Sequence, residues 1–147
     1  MNAIQFIQQH GIEKARKVVE GAPDGATHFN EALSGHYAKE GMLKMKPQWL
    51  WFNSINKEWY YDFAAKDHIH LPDLKRLVES VDLIEHFGND IGGAKQLLEF
   101  SKGCKTIELS GSVITIERLK QAIADYESIY SIPESVRQAI LNLEMHL

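Results

Sequence analysis

Cysteine is all but missing from this 147-residue chain: Cys104 stands alone. No internal disulfide can form, and the paired thiols of a secreted framework or a zinc ribbon are absent. Long apolar runs are missing too, and no stretch approaches the roughly 20 residues a helix needs to cross a bilayer. The opening MNAIQFIQQHGIEK has neither the basic start nor the apolar core of a signal peptide. Together these absences point to a reducing, cytoplasmic setting, with the chain neither exported nor membrane-spanning. A basic excess is also lacking, since the formal net charge is −4. Residues 1–70 carry eight Lys/Arg against eight Asp/Glu, and residues 71–147 carry eight against twelve. The acidic excess of the second half repels phosphate backbones, so nucleic acid is an unlikely partner and any polyanion would have to meet the neutral half.

Catalytic signatures are missing as well. The chain contains no GxSxG, no phosphate-binding loop and no HExxH. Gly88, Gly92 and Gly93 fall between helical patterns and do not follow a strand, so they make no dinucleotide fingerprint. Cys104 has no histidine beside it in sequence. The expectation is a non-enzymatic protein without a cofactor or resident metal.

What the chain has in quantity is aromatic side chains in one place. In WLWFNSINKEWYYDF, residues 49–63, seven of fifteen residues are aromatic and all three tryptophans are included. Two aromatic runs flank Asn53 to Lys57, which reads as a β-hairpin with a loop of about four or five residues. Trp59, Tyr61 and Phe63 alternate with Glu58, Tyr60 and Asp62, so one aromatic face is expected against a core. The expected neighbours are Leu77, Val81 and Ile84, and Trp59→Ala would then cost about 3–5 kcal/mol.

At 44% hydrophobic and 24% charged, the composition is that of a globular protein, and the length suffices for one domain over 1–147. Three parts are expected within it. Residues 1–22 are helical, with Asn2 as cap and an interruption at Gly11. Residues 23–69 form a small antiparallel meander of three or four strands, punctuated by Gly35, Gly41, Pro47 and the hairpin loop. Residues 70–147 supply three to four helices. The clearest has Leu74, Leu77, Val78, Val81, Ile84 and Phe87 on one face, with Pro72 near its start and Gly88 after its end. A shorter helix runs from Gly93 to Ser101. Thr106 to Ile114 reads as a short hairpin or a loop, and Ile116, Leu119, Ile123, Tyr126 and Tyr130 form another helical stripe. Pro133 opens a last helix carrying Val136, Ile140, Leu143 and Leu147. The fold class is therefore α+β, a meander packed against an N-terminal helix and a C-terminal helical group.

The segments APDGATHFN (22–30), the tryptophan-rich run at 49–61, LKRLVESVDLIEHFGNDIGGAKQLLEF (74–100) and RLKQAIADYESI (118–129) resemble the short accessory proteins of temperate, lambda-like enterobacterial phages and prophages. The resemblance implies a protein of the host cytoplasm with a role in host takeover or counter-defence. It carries no catalytic residue.

Three groups of side chains are candidates for binding. His28, His36, His68 and His70 fall in or beside the meander, and an HxH pair on a strand puts two imidazoles on one face; whether the four meet at a metal is left open. Trp49 and Trp51 share a face by alternation and, with Tyr60, Lys44 and Lys46, form the proposed binding surface on the side of the sheet away from the helices. Such a surface suits a host protein first and, as the alternative, a small ligand or nucleotide stacked on the aromatic rings. The competing arrangement buries both tryptophans beneath Ile7, Val18 and Val19. LIEHFGNDIGGAKQLLEF has the outline of a helix-turn-helix, but its glycine spacing and sparse Lys/Arg favour a scaffold over a DNA reader.

Overall fold

The computed structural model describes residues 1–32, 35–63, 67–86, 91–109, 111–130, 139 and 142–143. At the N-terminus, Asn2 closes a capping box on α1 (Ala3–His10): its side chain accepts from the Gln5 amide at 2.8 Å, and the Gln5 side chain accepts from the Asn2 amide at 2.9 Å. Gly11, at φ +89°, holds a conformation that L side chains rarely adopt and separates α1 from α2 (Ile12–Glu20). Phe6, Ile7, Ala15 and Val18 are the buried face of this pair.

Four strands follow as an antiparallel meander: β1 (His28–Asn30), β2 (His36–Leu43), β3 (Lys46–Asn53) and β4 (Glu58–Tyr61). A fifth, β5 (Ile69–His70), pairs with the other side of β1, giving the order β4-β3-β2-β1-β5. Gly41, expected to divide two segments, lies inside the continuous β2, where an added Cβ would sit 2.4 Å from Leu50 Cδ1. The strand ends instead at Lys44 and Met45, both at positive φ (51° and 65°), the two-residue turn whose twist matches a hairpin. The β3–β4 loop of residues 54–57 is locked by Asn53, whose carbonyl accepts from Lys57 N and whose side chain accepts from Ile55 N.

After the sheet come α3 (Leu71–Glu85), α4 (Ile91–Phe100), a small hairpin of β6 (Thr106–Leu109) and β7 (Ser112–Thr115), and α5 (Ile116–Tyr130). The fold is α+β. Pro72 occupies the first turn of α3, and Leu74, Leu77, Val78, Val81 and Ile84 are its buried stripe. One buried cluster joins α1, α2, β1, β5, α3 and, through Ile129, the end of α5; another joins the end of α3 to α4 and α5, with Ile107 and Ile114 packed against it. Between α3 and α5 lies a buried polar network. Asp125 accepts from Ser80 Oγ at 2.6 Å, Arg76 Nε at 3.2 Å and Gln121 Nε2 at 2.8 Å. No described helix is long and apolar enough to cross a membrane. Phe87, Gly88 and, of the expected last helix, Pro133, Val136, Ile140 and Leu147 lie outside the described residues, while its Leu143 is exposed.

The aromatic hairpin is not where alternation alone put it. The cross-strand pairs run Ile69–Phe29–Tyr37, then Phe52–Trp59, so Trp59 does share the helix-side face with core residues. Exposure rises along this row as it leaves the helices: Ile69 and Phe29 are buried, while Tyr37, Phe52 and Trp59 are half-buried. Tyr61 is 42% and Phe63 74% exposed. The expectation that all three pack on Leu77, Val81 and Ile84 is overturned because β4 is the far edge strand and the helices cover only the β1–β5 end. Trp59 packs on Phe52, with ring centroids 5.1 Å apart, and beneath Lys39 Nζ at 4.4 Å.

Half-burial lowers the expected cost of Trp59→Ala from the core value to about 1–2 kcal/mol. A loss above twice that in chemical denaturation would restore Trp59 to the core. Replacing Lys44 and Met45 by Asn and Gly should relieve two left-handed L residues and stabilise by about 1 kcal/mol. An unchanged or lower denaturation midpoint would contradict the turn geometry.

Candidate functional site on the outer face of the sheet

The opposite face of the sheet gathers the side chains with chemical potential. Register places His70, His28, Ala38, Trp51 and Tyr60 in one cross-strand row on this face, with Glu40 and Trp49 in another. Because β4 and β5 are opposite edges, the connection between them has to cross the sheet. Two of its described residues meet this face: His68 stacks on Trp49 with centroids 3.9 Å apart and planes 15° from parallel, and the imidazole of His36 stands 3.9 Å from Asp62 Oδ2. Trp49 is also met edge-on by His28 at 4.8 Å. Trp49 and Trp51 are therefore half-buried beneath side chains of the sheet and its own connection, and not beneath Ile7, Val18 and Val19.

Of the expected binding residues, the fold brings Trp49, Trp51 and Tyr60 together, with Trp51 and Tyr60 rings 5.5 Å apart. The lysines are separated from them. Lys44 is at the tip of the β2–β3 turn, and Lys46 alternates onto the other face with Leu50 and Phe52. Three of the four histidines gather, with His28 5.2 Å from His70 and 6.1 Å from His68 between centroids, while the ring contact of His36 is with Trp51 at 6.4 Å. Yet among the described residues no three His, Cys, Asp or Glu side chains are placed to hold a metal ion. His28 Nδ1 is bonded to the Thr27 hydroxyl at 2.8 Å, and His70 Nδ1 lies 3.1 Å from Asp73 Oδ2. Cys104 is exposed.

A cleft of about 500 Å³ opens at one end of this face, lined by His36, Trp51, Phe52, Asn53, Ser54 and Asp62. Gly35 shapes its entrance: at φ +90°, with an added Cβ 2.7 Å from Phe29 Cζ, no other residue fits without displacing the Phe29 ring. The alternation of Trp49 and Trp51 was readable in sequence, but Asp62 and His36 as neighbours were not, since they meet only through the crossing connection.

Three comparisons, with family models, with curated proteins and with solved structures, return no match. The site's chemistry thus rests on its own residues.

Burial holds the His28 imidazole below its ordinary pKa, helped by the nearby charge of His70 and opposed by Glu40. Burial lowers His68 likewise, helped by His28 and His36 and opposed by Asp62 and Asp67. A folded pKa below the unfolded value of about 6.5 means that the unfolded chain binds more protons in the interval between them. This contribution to stability is present above pH of about 6.5 and is lost as pH falls through the lowered folded values. Denaturation midpoints should accordingly fall between pH 7.5 and pH 5, by less in a His28→Asn, His68→Asn variant. An identical pH dependence in the variant would refute the assignment.

Proposed function

We propose that this protein is a non-enzymatic accessory protein of a temperate phage that acts by binding a host protein in the host cytoplasm, and that the contact surface is the half of the sheet projecting beyond the helices. One observation carries the reading. Met42, Met45, Ile55, Tyr60, Tyr61 and Phe63 are all exposed large apolar side chains, and all belong to the β2–β3 and β3–β4 hairpins or the residues just after them. Exposed apolar patches of this kind on a folded domain mark interaction surfaces, and tyrosine and phenylalanine are enriched at interface centres. Neither β3 nor β4 contributes a residue to the buried clusters among the described residues, so the helix-side face of this overhang is open to a partner. The likeness of the sequence to phage accessory proteins supports the host as the source.

On the helix-side face of the overhang, Lys39 and Lys46 accompany Leu50, Phe52, Trp59 and Tyr61, which suits an apolar partner surface with an acidic rim. A nucleotide base stacked on Trp59 is less well served, because the Lys39 ammonium already lies over that ring. The test is affinity capture from host lysate with the wild-type chain and with Tyr61→Glu, Phe63→Glu, followed by reconstitution with the purified partner. The expected outcome is one protein retained stoichiometrically by the wild type and released at least tenfold faster from the variant at unchanged melting temperature. Retention by both, or capture of nucleotide in place of protein, would overturn the proposal.

A further inference from the structure

The hydrogen-bond phase of the meander leaves one backbone edge open. In an antiparallel ladder, directly opposed residues alternate between pairs that exchange two hydrogen bonds and pairs that exchange none. The Asp62 amide donates to the Trp49 carbonyl at 2.9 Å, and with the register Trp51–Tyr60 and Asn53–Glu58 this assigns Glu58 and Tyr60 to the bonded pairs with β3. The β2–β3 hairpin has the same phase: its two-residue turn makes Leu43–Lys46 a bonded pair, so Gln48, Leu50 and Phe52 bond towards β2 and Trp49, Trp51 and Asn53 towards β4. The N–H and C=O groups of Trp59 and Tyr61 therefore point out of the sheet. Among the described residues β4 pairs with β3 alone, and no backbone hydrogen bond outside the ladders involves Trp59 or Tyr61. Glu58–Tyr61 also lacks the proline or lysine that commonly guards a free edge. The opposite edge, β5, is two residues long and runs straight into α3.

We propose that β4 accepts an extended segment of a partner protein as a sixth, antiparallel strand, with apolar residues opposite Trp59 and Tyr61 and a basic residue opposite Glu58. The inference rests on the overhang being the contact surface for a host protein, and it names how that partner is held. Antiparallel addition uses all four outward groups, two bonds at Trp59 and two at Tyr61. The side chains of these two residues share the helix-side face, half-buried at Trp59 and exposed at Tyr61, so β-branched or aromatic residues opposite them cover apolar surface. Glu58 is exposed on the other face and has no ion pair among the described residues, which favours lysine or arginine opposite it. A second copy of the chain fits less well. The two-fold register that uses all four groups pairs Trp59 with Tyr61 across the axis and sets Glu58 opposite Asp62 of the second copy twice, acidic against acidic.

The full chain is titrated at neutral pH with the capped hexapeptide Thr-Val-Thr-Val-Lys-Thr, whose valines fall opposite Tyr61 and Trp59 and whose lysine falls opposite Glu58, and amide hydrogen exchange is followed by NMR. In the free chain the Trp59 and Tyr61 amides should exchange faster than those of Tyr60 and Asp62. The peptide should saturate with a Kd on the order of 1 mM, and at about ten times that concentration it should slow exchange at Trp59 and Tyr61 about tenfold. N-methylation of both valines should weaken binding at least about tenfold, because their N–H groups point at the edge, whereas N-methylation of the threonine between them should not. Exchanging the peptide lysine for glutamate should weaken binding about threefold, and Glu58→Lys should reverse that preference; if that variant melts early, Glu58→Gln should abolish it. Slow exchange at Trp59 and Tyr61 in the free monomer, absence of saturation, equal damage from either N-methylation, or a charge preference unchanged in a folded Glu58 variant would overturn the proposal. Protection of the same amides that grows with protein concentration in the absence of peptide would assign the edge to a second copy and overturn it too. A reconstituted host complex in which Trp59 and Tyr61 still exchange fast would overturn strand addition and leave the overhang as the contact surface. A chain that shows the expected peptide pattern but captures no host protein would support the edge as a strand acceptor and overturn the host-binding reading.

Discussion

The pairing of Ile69 with Phe29 between the helices is the contact on which the arrangement of the molecule depends. Phe29 meets Phe6 edge-on with centroids 6.0 Å apart, and both strands enter the same buried cluster as Leu71, Leu74, Leu77 and Val81. This anchors the β1–β5 end of the sheet under α1, α2 and α3. Tyr37 extends the anchor by one strand, donating its hydroxyl to the Val18 carbonyl of α2. A sheet held at one end and built as a meander has to carry its remaining strands away from the helices, and β3 and β4 are those strands.

The same pairing explains the outer face. Once β5 is fixed beside β1, the chain leaving β4 at the opposite edge has to cross the sheet to reach it. The crossing lays His68 over Trp49 and brings Asp62 towards His36, so the conditions for a polar cleft arise from connectivity as much as from the strands themselves. The outer face thereby becomes half-covered and chemically mixed, while the helix-side face of β3 and β4 stays outside the buried clusters.

The helical half is simpler in plan but holds one buried feature that periodicity does not announce. Asp125 lies within an otherwise helical stripe, and its carboxylate is satisfied by Ser80, Arg76 and Gln121 at the α3–α5 contact. A buried carboxylate is tolerated only when its acceptors are filled, and here the donors come from two helices. The network therefore fixes how α3 and α5 sit against each other. In sequence, Ser80 and Asp125 look like ordinary solvent-facing residues between apolar positions.

Local pattern determined a good deal by itself. The capping box at Asn2, the break at Gly11, the stripe of α3 and the β3–β4 hairpin around Asn53 were all legible, because each is set by residues within a few positions of one another. Alternation also assigned Trp59 and Tyr61 to the helix-side face and Trp49 and Trp51 to the other, as the register bears out. It placed Lys46 with the wrong tryptophans, an error of parity: Lys46 is an odd number of residues from both Trp49 and Trp51 and so points away from them. Gly41 misled because glycine reads as punctuation, whereas here it admits the Leu50 side chain into a continuous strand. Tertiary structure alone decided how far the helices reach along the sheet, which edge β5 joins and what covers Trp49. Each of these depends on pairings between residues distant in the chain, and a period of two or of 3.6 residues specifies which face a side chain takes without specifying what lies against that face.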